Sequence, residues 1–215
     1  MKPRWSKNQN CGLTLLEVLV VIALLAIIAA LLLPALAASR RKSSRLGCVN
    51  NLKEISLAFR IWEGDNGDVY PMAVSCTNRG AMEPAATGNA AAVFQVMSNE
   101  ISTPKILICP QDTNHFEATN FSTGLSARNI SYFINVDASE ADPQMLLMGD
   151  DNFEIDGVPV KSGILELKTH QQIGWTEARH KFVGNVAITD GSIQQLSTKG
   201  LQDFSSLTTN RLAIP

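Results

Sequence analysis

From Leu13 to Ala38 the chain is apolar at nearly every position, and a single charged residue, Glu17, interrupts the run. The part without charge, Val18 to Ala38, would span about 31 Å as a helix, close to the hydrocarbon thickness of a bilayer. The pattern then changes. After Arg40, Arg41, Lys42 and Arg45, the residues Leu46, Val49, Leu52, Ile55, Phe59 and Trp62 recur at spacings of three and four. That spacing makes one face of an amphipathic helix. Gly64 and the turn sequence Asp65-Asn66-Gly67-Asp68 stop it. The pattern therefore predicts one helix from about Leu15 to Trp62, roughly 70 Å long. Four segments follow: 1–12, 13–38, 39–64 and 65–215.

Downstream the periodicity is that of strands. The strongest signals are Lys105 to Cys109, Ile130 to Val136, Gln144 to Met148 and Asn185 to Leu196. Asp190-Gly191 divides the last of these between apolar-rich runs, the short-range signature of a hairpin, with Asp190 expected at the first central position of the turn. Asp156-Gly157 marks a second, weaker turn. The Ala-, Gly- and Asn-rich stretch from Cys76 to Thr103 reads as loop with one short helix at Ala91 to Ser98. The expected class is α+β: a long N-terminal spine helix, transmembrane in its first half, against a small antiparallel sheet with one modest core.

Charge sharpens the N-terminal reading. An ionised group at membrane depth costs on the order of 2.5 to 3.5 kcal/mol, which makes Glu17 a functional residue in want of a cationic partner. Lys2, Arg4 and Lys7 precede the run with no acid among them, as in an export signal. A signal-peptidase cut after Ala37, in Ala35-Leu36-Ala37, is the competing reading. Glu17 inside the apolar core and the length of the run oppose it. Basic residues flank both ends of the span, so their count does not fix its orientation.

The sequence Gly12-Leu13-Thr14-Leu15-Leu16-Glu17-Val18-Leu19-Val20-Val21-Ile22-Ala23, followed by Leu31-Leu32-Leu33-Pro34-Ala35-Leu36, resembles the cleavage and methylation signal of type IV prepilins and type II secretion pseudopilins. Most members carry Phe where this chain has Leu13. The resemblance implies a leader, 1–12, cut by a prepilin peptidase between Gly12 and Leu13, and N-methylation of the new terminus. It implies single-pass insertion in a bacterial inner membrane with the N-terminus cytoplasmic and the C-terminal domain periplasmic. It further implies helix-packed assembly with other pilin or pseudopilin subunits into a type II secretion or type IV pilus-like filament. The electrostatics agree: cleavage would make an ammonium at Leu13, and a neighbouring subunit's terminus would neutralise Glu17 and set its register; the alternative is that Glu17 bonds only its own terminus or snorkels to the headgroups. Pro34 removes a helical hydrogen bond to Ala30, so a bend or local melting is expected there. The alternative function is a membrane-anchored periplasmic binding module that does not polymerise.

A second resemblance lies further along. Cys48-Val49-Asn50-Asn51-Leu52-Lys53, Trp62 and Asp65-Asn66-Gly67-Asp68 look like prepilin-like proteins ending in His, nine residues, Asp-Gly; here His180, Asp190 and Gly191 have that spacing, with Gly174-Trp175-Thr176 ahead of them. We read His180 and Asp190 as structural, without a catalytic or metal role, because His115, His170 and His180 show no ligand-like spacing. Asp150-Asp151-Asn152 and Asp65-Asn66-Gly67-Asp68 offer oxygens that calcium could use, though neither has EF-hand spacing. No cofactor is otherwise expected. No nucleophile elbow, phosphate loop or dinucleotide fingerprint appears, and no enzymatic activity is expected.

Loss of the leader would remove Cys11 and leave Cys48, Cys76 and Cys109 on the oxidising side. Three thiols allow three single pairings. Cys48 with Cys109 is preferred, since a bond from helix to strand would lock the spine to the sheet; buried free thiols are the alternative. Removal of Lys2, Arg4 and Lys7 takes the formal charge from −2 to −5. That mild acidity argues against nucleic acid as the main partner of the exported domain.

Overall fold

The structure, a computed structural model, describes residues 14–168, 171–205 and 211–215. It divides into two compact units, the first ending at Ser43 and the second running from Ser44 to Pro215. One helix, α1 (Leu15–Asp65), contributes to both.

In the first unit, Leu15–Pro34 is fully unburied and has a mean hydropathy of 3.1. It is long and apolar enough to cross a membrane. Thr14 begins the helix as its cap: its carbonyl accepts from the Val18 amide at 3.2 Å and its hydroxyl from the Glu17 amide at 3.3 Å. The helix assignment is unbroken through Pro34. The local melting expected near Ala30 is therefore not what the backbone shows, although Pro34 still has no N–H to donate.

In the second unit α1 buries Cys48, Leu52, Ile55, Phe59 and Trp62. This stripe differs from the expected one at its start, where Leu46 is exposed and Cys48 takes the inward position. Spacings of four, three, four and three keep one line of side chains facing the core. The helix ends at Asp65, one residue past Gly64; Gly67 and Asp68, both at positive φ, fold the chain back so that the Asp68 amide bonds the Glu63 carbonyl at 3.0 Å.

Two short helices follow, α2 (Met82–Ala86) and α3 (Ala90–Val96), the latter at the expected short helix. The segment Lys105–Cys109, expected as a strand, is instead a single 3-10 turn over Pro104–Leu107 and an extended exit. Pro104 sets the φ of the first helical position and Thr103 caps it, accepting from the Lys105 amide at 3.4 Å.

The strands are β1 (Tyr132–Asn135), β2 (Leu146–Asp150), β3 (Phe153–Ile155), β4 (Val158–Pro159), β5 (Gly163–Glu166), β6 (Ile173–Trp175), β7 (Val183–Ile188), β8 (Ile193–Ser197) and β9 (Arg211–Ile214). A last helix, α4 (Thr198–Ser205), precedes β9. Six strands form one antiparallel sheet in the order β5-β9-β1-β2-β7-β8, and β4-β3-β6 form a second. Asp156-Gly157 is the two-residue turn between β3 and β4, with φ of 52° and 76°. The β7–β8 connection has four residues, Thr189 to Ser192: the Gly191 amide bonds the Ile188 carbonyl at 2.9 Å, which puts Asp190 at the second central position of the turn, and Gly191 has a φ of 88°.

The large sheet is covered on both faces, and two cores replace the one expected. Alternation along the strands assigns Tyr132, Ile134, Ala187 and Ala213 to the face that meets α1, α2 and α3. Phe133, Val186, Leu212 and Ile214 point the other way, where Phe153, Ile173, Trp175 and Leu201 cover them. Phe133, Phe153 and Trp175 meet edge to face at 5.4 and 6.2 Å. On β7 the Trp175 ring lies directly over Gly184, where any Cβ would collide with it.

Gly184→Ala is therefore expected to lower stability by about 1–3 kcal/mol through overpacking. Urea denaturation of the full chain in detergent, followed by Trp fluorescence, measures it; an unchanged midpoint would show that the ring has room to move.

Candidate functional site

Two regions carry chemistry. The first is the start of α1. Glu17 is the third residue after the Thr14 cap, so the spacing is that of the forward half of a capping box, and Thr14 orients the turn that bears the carboxylate. Glu17 is exposed, among exposed Leu15, Leu16, Val18 and Leu19. The expected cut between Gly12 and Leu13, and the leader 1–12, lie outside the described residues.

The second region is a buried polar hub within the Ser44–Pro215 unit. Cys48 and Cys109 are joined by a disulfide with a Cα–Cα distance of 5.0 Å. One turn further along α1, the Asn51 amide donates to the Ile108 carbonyl at 2.8 Å. Gly47 lets the helix approach Pro110, to whose ring a Cβ there would lie at 3.0 Å. The helix thus holds Ile108-Cys109-Pro110 by a covalent bond, a hydrogen bond and close packing. Cys109 lies just beyond a 3-10 turn, so the expected helix-to-strand bond is a helix-to-loop bond. Cys76 is an exposed free thiol, its pKa raised by the hydrogen bond to Glu83.

From Cys109 the network continues into the sheet. The Cys109 amide donates to the Ser131 hydroxyl at 3.0 Å, and that hydroxyl donates to Asp112 Oδ2 at 2.6 Å. The same carboxylate accepts from His115 Nδ1 at 2.7 Å and pairs with Arg179 at 2.6 Å. Arg179 also pairs with Asp151, and its second amino group donates to the Ser131 carbonyl at 2.9 Å. Burial alone would raise the Asp112 carboxyl; the hydrogen bond from His115 and the Arg179 charge outweigh it and hold it well below the carboxylate range. The bond to Asp112 raises His115. Burial pushes Asp151 up to about 6 despite Arg179 and His115.

His180 follows Arg179 and is buried. Its Nε2 lies 3.4 Å from Asp150 Oδ2 and 3.5 Å from Cys109 Sγ. Asp150 Oδ2 in turn accepts from the Asn185 backbone amide at 2.8 Å and its side-chain amide at 2.9 Å. Two arginines of α1 reach the main chain of the same region. Arg45 donates to the His180 carbonyl at 2.7 Å, and Arg60 to the Asp190 carbonyl at 2.9 Å. The nine residues between His180 and Asp190 are therefore clasped to the helix at both ends. The Asp190 carboxylate accepts from the Ser192 amide at 2.7 Å and Gly191 supplies the left-handed backbone, so both residues build the hairpin turn.

The oxygens considered for calcium do not converge: Asp150 faces Asn185 and His180, Asp151 faces Arg179 and His115, and Asp65 to Asp68 lie at the end of α1. His170 lies outside the described residues. The sequence reading did not find Asp112, His115, Ser131 and Arg179 as a group, nor the clasp of Arg45 and Arg60. The adjacency of Arg179 to His180 was the one visible signal. A cleft of about 370 Å³ borders the hub at Asn114, His115, Asp151 and Thr176. Its arginine, Arg179, is already neutralised by two carboxylates.

Residues 7–33 match the family model described as the prokaryotic N-terminal methylation motif. No curated protein and no solved structure gives a significant match to the chain.

The hub predicts a pH profile. Asp112, depressed when folded, contributes stability above its ordinary value of 3.8 and keeps contributing well below it. His115, raised, contributes fully below 6.5 and loses that contribution as pH rises through its folded value. Asp151, raised to about 6, favours the folded state less as pH climbs from 3.8 past that value. From about pH 5 to 8 the melting temperature of the full chain in detergent should fall by a few degrees. His115→Gln should lower it at the acid end and flatten the slope, as read by circular dichroism.

Proposed function

We propose that this chain is a prepilin-type structural subunit, cut between Gly12 and Leu13, methylated there, and packed helix to helix with its like in a type II secretion or type IV pilus-like filament. The observation that carries this reading is the coincidence of the methylation motif at 7–33 with an apolar helix, Leu15–Pro34, none of which is buried. Such a helix needs lipid or other helices to cover it. The first serves for storage in the inner membrane, and the second for assembly. A prepilin peptidase and methyltransferase is the processing partner.

Glu17 is the residue on which assembly turns. In the membrane or in a filament core its carboxylate lies in a low-dielectric setting, where an unpaired charge costs several kcal/mol. The ammonium freed at Leu13 of a neighbouring subunit answers it, and Thr14 holds the turn on which Glu17 stands. The unit from Ser44 to Pro215 then occupies the periplasmic side as a folded outer body. In its hub Arg179 is paired with Asp112 and Asp151, which fits a structural rather than a catalytic part.

N-terminal mass analysis of the mature protein tests the processing. A methylated Leu13 start is expected; an intact Met1, or an Ala38 start, would indicate a membrane-anchored or secreted module. For assembly, Glu17→Ala should leave cleavage and membrane insertion intact and reduce crosslinked filament ladders in sheared fractions by at least about tenfold, the effect of 1.4 kcal/mol in one association step. Normal ladders from that variant would remove the intersubunit ion pair from the account.

A further inference from the structure

The disulfide does not stand alone: Cys48, Cys109, Asp150 and His180 present their ligand atoms within 4.8 Å of one another, and all four are buried. From this juxtaposition we propose that the chain carries a redox-gated structural zinc site. When the Cys48–Cys109 bond is reduced, its two sulfurs, His180 Nε2 and the Asp150 carboxylate hold one Zn²⁺.

The geometry already approaches that of a tetrahedral centre. With bonds of about 2.0 Å to nitrogen and oxygen and 2.3 Å to sulfur, tetrahedral angles require about 3.5 Å between nitrogen and sulfur and about 3.3 Å between nitrogen and oxygen. His180 Nε2 lies 3.5 Å from Cys109 Sγ and 3.4 Å from Asp150 Oδ2. The remaining change is separation of the two sulfurs to about 3.8 Å. Asp150 is oriented from behind by the two Asn185 donors, and its Oδ1 is buried without a hydrogen bond. Outer groups of this kind fix ligand direction in metal sites. Arg45, bound to the His180 carbonyl, places a positive charge beside a centre that would carry one net negative charge from two thiolates and one carboxylate around Zn²⁺.

The chemistry balances. A dithiol reductant delivers two electrons and two protons, breaks the Cys48–Cys109 bond, and leaves as its own disulfide. The two new thiols release two protons to solvent as their sulfurs bind Zn²⁺. His180 binds as neutral imidazole and Asp150 as carboxylate. A disulfide oxidant closes the cycle: it accepts the two electrons, takes up two protons and leaves as a dithiol, while the two thiolates join as the S–S bond and the ion, short of two ligands, is expelled. Because no ligand is open to solvent, the centre is structural rather than catalytic. Its effect is to keep α1 attached to the Ile108-Cys109 segment when the covalent link is open.

The test uses the full chain in detergent micelles with Cys11→Ser and Cys76→Ser, so that the hub holds its only thiols. After anaerobic reduction with a phosphine, Co²⁺ is titrated in and then displaced by Zn²⁺. The reduced chain should bind one metal, with a thiolate-to-cobalt charge-transfer band and a four-coordinate visible spectrum, while the oxidised chain binds none. Asp150→Asn and His180→Gln should each weaken binding by more than about 100-fold, beyond what an outer group carries. Should reduction unfold the chain, added Zn²⁺ is expected to restore its far-UV dichroism. Equal uptake by both redox forms, sub-stoichiometric binding, failure of zinc to restore a lost fold, or unchanged affinity in folded variants would each overturn the site. None of these outcomes bears on processing at Leu13 or on Glu17.

Discussion

The constraint on which the unit from Ser44 to Pro215 rests is the burial of one helical stripe, Cys48 to Trp62, against the sheet. An isolated helix of this kind is marginal in water, and most of its stability comes from packing an amphipathic face. The sheet supplies that partner because its strands alternate, sending Tyr132, Ile134, Ala187 and Ala213 toward the helix side. The opposite residues of the same strands would be left bare. The small sheet, with Phe153 and Trp175, and α4, with Leu201, exist in the fold to cover them. Two cores on one sheet follow from a single requirement, that neither face of a wholly buried strand can meet water.

Polar contacts then fix where the stripe sits. Area burial is non-directional, and a helix can slide along an apolar surface at little cost. Hydrogen bonds from Arg45, Asn51 and Arg60 to main-chain carbonyls of His180, Ile108 and Asp190 are directional, and they lie along the length of the buried half-helix. Acceptors on the main chain are indifferent to the side chains around them. Both ends of the His180-to-Asp190 segment are held to the helix in this way, at a loop and at a turn.

Much of this was legible in the sequence, and the reason is local. Spacing of three and four announced α1, Asp156-Gly157 and Asp190-Gly191 announced their turns, and apolar runs announced β1, β2, β7 and β8, because each signal arises within a few residues. Where the sequence misled, tertiary context had the deciding part. Lys105 to Cys109 has strand-like composition, yet Thr103 and Pro104 favour a 3-10 turn and Asn51 takes up the Ile108 carbonyl. Leu46 fits the period but loses the inward place to Cys48. The hub was invisible because Asp112, Ser131, Asp151 and Arg179 lie on separate segments and have no common period. The second core was missed for the same reason: β3, β4 and β6 are two or three residues long, too short to show alternation.

The cross-link between Cys48 and Cys109 closes a sequence separation of 61 residues. Tension entering from the N-terminal side of α1 and leaving through the sheet crosses that bridge, so everything between the two sulfurs, α2 and α3 included, is shielded from the pull. A pull applied to the chain from that side would load the β strands and spare the small helical lobe.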